Sequence, residues 1–270
     1  MIAAAPVPDT RAPPERDYIS FSAIKTYQQC PLRYFFKYIA GLPERTAAAS
    51  LVFGSAVHHA IESHFLRLLE GAAPPSVDEL FTAYQAGWRE ETRPIRFSKD
   101  DDEGSFDPLA RRMLTAFASS ELSRPQGRIL AVEETLRGQL IPGLPEVLGR
   151  IDLIVETQDE LIVSDWKTSR SRYSQDQIED SAPQLLLYGE LARDFAPGKR
   201  LKLQFGVLTK TKETQVDAHS FFSDAGQLDR TKRTVEKVWQ AIEHEHYYPS
   251  PSTMNCPGCP YRDACRKWPG

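Results

Sequence analysis

The chain is expected to adopt a mixed α/β fold, a central sheet flanked by helices, and three features of the sequence predict it. Period-two alternation in ELIVSDWKT and the β-rich run VLGRIDLIVE before it mark a pair of strands folded back on each other over residues 146–169. Helical patterning lies on both sides of that pair. Two further β-rich segments, 201–210 and 215–222, follow the second helical stretch. At 270 residues the chain is long enough to bury one sizeable core.

Taken in order, residues 1–17 (MIAAAPVPDTRAPPERD) are broken by prolines and carry no basic region ahead of their apolar residues. They read as a disordered tail, not a signal peptide, which points to the cytoplasm. Residues 18–270 then form a single domain. Ser20 or Ser22 caps a short helix that ends before Cys30-Pro31. Arg33 to Ile39 continues as an aromatic helical turn stopped at Gly41, with Tyr34, Phe35, Phe36 and Tyr38 assigned to the core. In FGSAVHHAIESHFLRLL, residues 53–69, Val57, Ile61, Phe65 and Leu68 form the buried stripe of a helix. His58 and Glu62 project together from the neighbouring face. By itself His58 reads as structural, and His59 and His64 read as surface residues. Amphipathic helices follow at 77–91 and 108–122, so residues 60–128 form a helical elaboration. The acidic run SKDDDEGS between those helices reads as a solvated loop, not a metal site.

Residues 129–140 return to strand character and lead into the paired strands. In the second of these, Leu161, Val163, Asp165 and Lys167 share a face. A hairpin symmetric about Gln158-Asp159 places Asp152 opposite Asp165, with side-chain roots about 4.5–5.5 Å apart. Two carboxylates at that spacing repel by roughly 3 kcal/mol at an effective dielectric near 20. A divalent cation between them converts the repulsion into a binding site. Lys167 beside it would stabilise charge on a phosphate or position an attacking water. This stretch alone also fits ordinary solvated strand residues, and Gln-Asp is not a preferred two-residue turn. A helix is expected at 183–195 with Pro183 in its first turn and with Gln184 and Tyr188 on one face. A long charged helix is expected at 229–246.

Hydrophobic content of 41%, charged content of 26% and a net charge of −4 suit a globular chain without membrane spans. The overall charge gives no nucleic-acid signature, although a cleft needs only a local basic stripe. Arg170, Arg172, Lys199, Arg200, Lys202, Lys210 and Lys212 make the region after the hairpin locally basic, a pattern that is ordinarily a solvated face. Of four cysteines, Cys256, Cys259 and Cys265 form C-x2-C-x5-C within a Pro- and Gly-rich loop spanning 247–270, and Cys30 is the remaining thiol. That spacing favours a shared four-thiolate metal site over disulfides. Zinc and an iron–sulfur cluster both fit the spacing.

Together, FGSAVH with His58, GRIDLIV with Asp152, VSDWKT with Asp165 and Lys167, QLLLY with Gln184 and Tyr188, and the four cysteines resemble the RecB-like exonuclease branch of the PD-(D/E)XK nuclease superfamily. The cysteine arrangement is similar to the iron–sulfur staple of the AddB nuclease and of the CRISPR-associated RecB-like exonucleases. The resemblance spans about Tyr18 to Arg266 and includes no helicase motor. It implies a restriction-endonuclease-like fold and a Mg²⁺- or Mn²⁺-dependent DNA nuclease, expected to be an exonuclease in DNA repair, recombination or a related pathway. His58, Asp152, Asp165 and the main-chain carbonyl of Trp166 would hold the metal, and Lys167 would act on water. Gln184 and Tyr188 would support the site or the DNA strand. Cys30, Cys256, Cys259 and Cys265 would hold a [4Fe–4S] cluster, with structural Zn²⁺ as the alternative. Glu133 is a further candidate that the adjacent Glu134 leaves ambiguous. DNA is the implied partner, with a helicase or other DNA-processing protein beside it. The rival reading is a non-catalytic DNA-binding or assembly subunit with a structural Fe–S or Zn site.

Overall fold

The computed structural model describes residues 17–99 and 101–269, so the tail expected over residues 1–17 lies outside them apart from Asp17. A short strand β1 (Tyr18–Ser20) leads into α1 (Phe21–Gln29), α2 (Pro31–Tyr34) and a π-helical turn, Phe35–Ile39. Then come β2 (Ala47–Ala48), α3 (Ala49–Leu69), α4 (Val77–Arg89), β3 (Ile95–Arg96) and α5 (Glu103–Ser119). The main strands are β4 (Arg128–Gly138), β5 (Glu146–Glu156) and β6 (Glu160–Ser169). Helix α6 (Gln175–Ala192) crosses over to β7 (Arg200–Thr209) and β8 (Val216–Phe222), followed by α7 (Ala225–Glu243) and α8 (Arg262–Arg266). No helix among the described residues is long and apolar enough to cross a membrane.

The sheet is mixed, in the order β1-β5-β6-β7-β8 with β4 also on β5. β1 runs parallel to β5 and β6 parallel to β7, while β4–β5, β5–β6 and β7–β8 are antiparallel. Each face is covered by helices. On one side Phe53 and Phe65 of α3 and Met113 and Phe117 of α5 pack on Val155 and Trp166. On the other, Leu185, Leu186 and Leu187 of α6 pack on Ile154, Val163 and Phe205.

One feature of this topology makes the cleft. β4 lines one edge of β5, and the other edge is divided. β1 takes Glu146 to Leu148 and β6 takes Leu153 to Glu156. Residues 149–152 lie between those two pairings, so β5 and β6 part there and open a cleft in the sheet.

The β5–β6 register is the expected one, with Leu153 opposite Ser164, Glu156 opposite Leu161, and Gln158 and Asp159 in the turn. Neither turn residue takes a positive φ, so the primed turns of common hairpins are not used. The turn is held from outside instead. Thr157 exchanges hydrogen bonds with Glu160 at 2.9 and 3.0 Å, and the Arg200 N–H at the start of β7 donates to the Asp159 carbonyl at 3.1 Å.

Three expectations are corrected. α6 begins well before Pro183, because Ser174 and Gln177 form a reciprocal capping box that starts the helix and leaves the proline inside it. The acidic run is partly helix, since Asp102 caps α5 by accepting the Ser105 N–H at 2.8 Å. His64 is buried, 2% exposed, with Nε2 at 2.8 Å from the Ser123 carbonyl and its ring edge-on to Phe117. Helical periodicity cannot show that α5 and the turn after it close over the far end of α3. His59 remains half-exposed, 3.6 Å from Glu62.

Candidate active site

The cleft where β5 and β6 part has a volume of about 760 Å³ and draws its walls from α3, β4, β5, β6, α6 and the end of β7. Asp152 stands in the stretch of β5 without a neighbour on that edge, and Asp165 is the first residue of β6 past the last paired position. The gap is bridged by a side chain: Asp152 Oδ2 accepts the Trp166 N–H at 2.6 Å. A backbone donor freed by strand divergence thus fixes the orientation of one carboxylate.

Asp165 is buried, with Lys167 Nζ at 2.5 Å from its Oδ2. From α6, the Gln184 amide donates to Asp165 Oδ1 at 3.3 Å, and its carbonyl oxygen accepts from Lys167 Nζ at 3.5 Å. Tyr188, one turn further along α6, is buried, and its ring lies against β5. A Cβ at Gly149 would sit 2.7 Å from that ring, so the glycine of GRID is the slot that admits the tyrosine. α3 brings His58 to the opposite wall, with Nδ1 at 3.7 Å from Asp152 Oδ2. The Trp166 carbonyl faces the same imidazole closely enough to favour its protonation. His58, Asp152, Asp165, Trp166, Lys167, Gln184 and Tyr188 therefore lie in or against this one cleft.

The structure adds Glu133. Val132 opposite Leu153 and Glu134 opposite Ile151 place Glu133 across from Asp152. Its φ of 51° is an unusual left-handed value for a strand residue. His58, Glu133 and Asp152 each offer a ligand atom within 4.8 Å of the others, and among the described residues no other such group occurs. Asp165 stands outside that trio, held by Lys167. Strand alternation across the β4–β5 pair was the signal that separates Glu133 from Glu134, but it requires the β4–β5 register.

The electrostatics are those of a site with too much negative charge and too little water. Burial, then the neighbouring Asp165 carboxylate, hold Asp152 well above the ordinary carboxylate range. Burial and Asp152 push Glu133 up to about 7. Burial lowers His58, which keeps a ring nitrogen free to act as a ligand. Burial alone would lower Lys167, but Asp165 outweighs it and raises the lysine, so Lys167 stays charged. The donor set of carboxylates, a carbonyl and one imidazole suits Mg²⁺ or Mn²⁺, and the raised carboxyls show the repulsion that a cation would relieve.

A pH dependence follows. Raised carboxyl pKa values mean that the folded chain holds protons the unfolded chain has released. The site's contribution to stability is then full below the ordinary carboxylate pKa and is lost as pH rises through the raised values. In chelator, the melting temperature should fall between about pH 4 and pH 8 more steeply in the parent than in Asp152→Asn. Saturating Mn²⁺ should flatten the difference. Equal slopes in chelator would show that Asp152 ionises normally.

Away from the cleft, Cys30, Cys256, Cys259 and Cys265 line one cavity of about 220 Å³ between the start of α2 and the C-terminal segment. Burial and the other three thiols raise Cys265. Ser250 and Ser252 donate backbone N–H groups to the sulfurs of Cys30 and Cys256 at 3.5 and 3.2 Å.

Comparison with known proteins agrees with this geometry. Among solved structures, a candidate exonuclease from Eubacterium rectale is similar, with a TM-score of 0.56 and 15% identity over 93% of this chain and 88% of that one. A likeness at that identity speaks to the fold. The SSO0001 structure matches with a TM-score of 0.35 and 14% identity over 90% of this chain and 94% of its own, too low a score to carry weight. No curated protein matches the chain. The family model of the PD-(D/E)XK nuclease superfamily matches residues 18–266, nearly every described residue, and the chain belongs to that superfamily.

Proposed function

We propose that the protein is a divalent-metal-dependent DNA exonuclease of the RecB-like type, working in DNA repair, recombination or a related process in the cytoplasm, alone or beside a helicase. The observation that carries this reading is the cleft itself. Asp152 reaches across from β5 to the Trp166 N–H, and Asp165 and Lys167 lie beside it on β6. A binding module gains nothing from two repelling carboxylates and a half-buried lysine in a widened strand gap.

In the mechanism, Asp152, Asp165, His58 and the Trp166 carbonyl would hold the cation, with Glu133 as a further carboxylate. A bound cation would supply Lewis acidity toward the scissile phosphate. The remaining work falls to the chain. Lys167, kept protonated by Asp165, stabilises negative charge developing on the phosphate and does not abstract a proton. Gln184 ties Lys167 to Asp165 and sets the distance between them. Tyr188, locked over Gly149, holds α6 and therefore Gln184 against β5.

The cysteine cavity supports a [4Fe–4S] cluster better than zinc. A tetrahedral zinc with bonds of about 2.3 Å needs sulfurs about 3.8 Å apart. Among the described residues no three cysteine sulfurs lie within 4.8 Å of one another, although all four line one cavity. The cavity also includes Arg33, whose buried Nε has no hydrogen-bond partner among the described residues and suits the negative charge of a thiolate-bound cluster.

The test is a nuclease assay on end-labelled single- and double-stranded oligonucleotides with Mg²⁺, Mn²⁺ or chelator. The expected outcome is metal-dependent loss of the end label in short products, none in chelator, and Mn²⁺ effective at lower concentration than Mg²⁺ because of the imidazole ligand. A protein that binds these DNAs but cleaves none in either metal overturns the reading in favour of a non-catalytic subunit.

A further inference from the structure

Four cationic side chains line the cleft: Arg150, Lys167, Arg170 and Lys210. Two are ion-paired with its acids, Arg150 with Glu133 and Lys167 with Asp165. The other two, Arg170 and Lys210, have no carboxylate within ion-pairing distance among the described residues. They are also neighbours. β6 and β7 run parallel with Ser169 opposite Thr209, and the Lys210 N–H continues the ladder by donating to the Ser169 carbonyl at 2.7 Å. Arg170 and Lys210 therefore leave the carboxyl ends of two adjacent parallel strands side by side, the edge at which open α/β sheets bind their ligands.

Lys210 is half-buried, and its Nζ sits 4.9 Å from the centre of the Phe53 ring, which steers the ammonium along α3 into the cleft. Burial, with the positive charge of Arg170 added, lowers its pKa. A desolvated lysine beside an uncompensated arginine is unfavourable unless an anion arrives. Arg170 lies just past the end of β6, five residues beyond Asp165, which at 3.3 Å per residue of extended backbone is about 16 Å along the chain. The anion is therefore not the one at Asp165.

Resting on the nuclease reading, we infer that Arg170 and Lys210 form a second phosphate subsite, which grips the substrate strand at a phosphate away from the bond being cut. The ligand chemistry is a nucleic-acid phosphate, either an internal phosphodiester or a terminal phosphomonoester. Held there, the strand is drawn along the α3 wall, and a phosphate further along it is presented to the acidic end of the cleft.

The experiment measures binding of a fluorescein-labelled single-stranded oligonucleotide to the full chain in chelator over a salt series, then steady-state cleavage in Mn²⁺. Lys210→Met and Arg170→Met should each raise Kd about tenfold. Each should lower the slope of log Kd against log salt by about 0.7, the single-strand value per lost contact. Lys210→Arg should restore both. In cleavage the loss should fall on KM, with kcat held within about twofold. Comparing 5′-phosphorylated, 3′-phosphorylated and unphosphorylated strands separates the sources. An equal effect on all three assigns an internal phosphodiester, and an effect confined to one phosphorylated end assigns that terminus. A folded double variant with the parent's Kd and salt slope overturns the inference, as does one whose loss lies wholly in kcat. A parent that binds strands in this way but never cleaves them overturns the nuclease reading and leaves the subsite standing.

Discussion

Asp165→Asn should remove cleavage by a factor of about a thousand or more while DNA binding and the fold survive. The asparagine has the same shape and can still meet the Gln184 amide, so the wall of the cleft is kept. What disappears is a buried negative charge that does two jobs. In the proposed mechanism it is one of the acids that would hold the cation, and it is what keeps Lys167 charged, because burial alone would lower that lysine. Both jobs fail together, and the consequence is measurable. Lys167→Met should cost nearly as much as Asp165→Asn, and the double variant should be little worse than either, the signature of groups that act as a unit. Full activity of a purified Asp165→Asn protein, or multiplying losses in the double variant, would show that the acid and the lysine do not form one centre. Binding of an oligonucleotide in chelator gives the control, because Asp165 faces the reacting end of the cleft and not the basic end.

Cys259→Ser should cost about 2–5 kcal/mol of stability, the range seen when a native cross-link closing a long loop is lost. The four thiols sit at opposite ends of the chain. Cys30 lies between α1 and α2, and the others lie in the segment around α8. Beyond the thiols, little apolar surface holds that segment: Leu32, Phe36 and Tyr261 are buried together, with Trp268 against them. A serine keeps the size of the side chain but binds iron poorly, so a loss of stability reports the metal centre and not packing. The expected readout is a melting temperature lower by several degrees and proteolysis beginning after α7. The visible absorption expected of the proposed cluster should fall with them. An unchanged melting temperature in a protein isolated without iron or zinc would mean that the cysteines do not form a site.

Much of the site could be read without coordinates because it is built on strands, where period two and a symmetric hairpin translate number into place. Asp152, Asp165 and Lys167 emerged in this way, and the observed register agrees with the hairpin although Gln158-Asp159 is a poor turn. His58 is different. Its helix shows only that it lies at the edge of a buried stripe, and His64, assigned to the surface by the same pattern, is buried under α5. A helical wheel ranks faces, but it does not say which faces a second helix will cover. Pro183 misled for a related reason, since a local capping box at Ser174 decided where the helix began.

By itself the sequence determined the strand pair with its two acids, the lysine two residues after the second, the helices on either side and four cysteines at a spacing that suits a metal. Each is a matter of local period, spacing and residue chemistry. Only the tertiary structure decided that β1 and β6 share one edge of β5, and therefore that a cleft opens at Asp152. The same packing brings Glu133 to that acid through the β4–β5 register and leaves Arg170 and Lys210 together with no counter-ion among the described residues. These are pairings between segments far apart in the chain, fixed by which buried faces fit together. No local pattern carries that information.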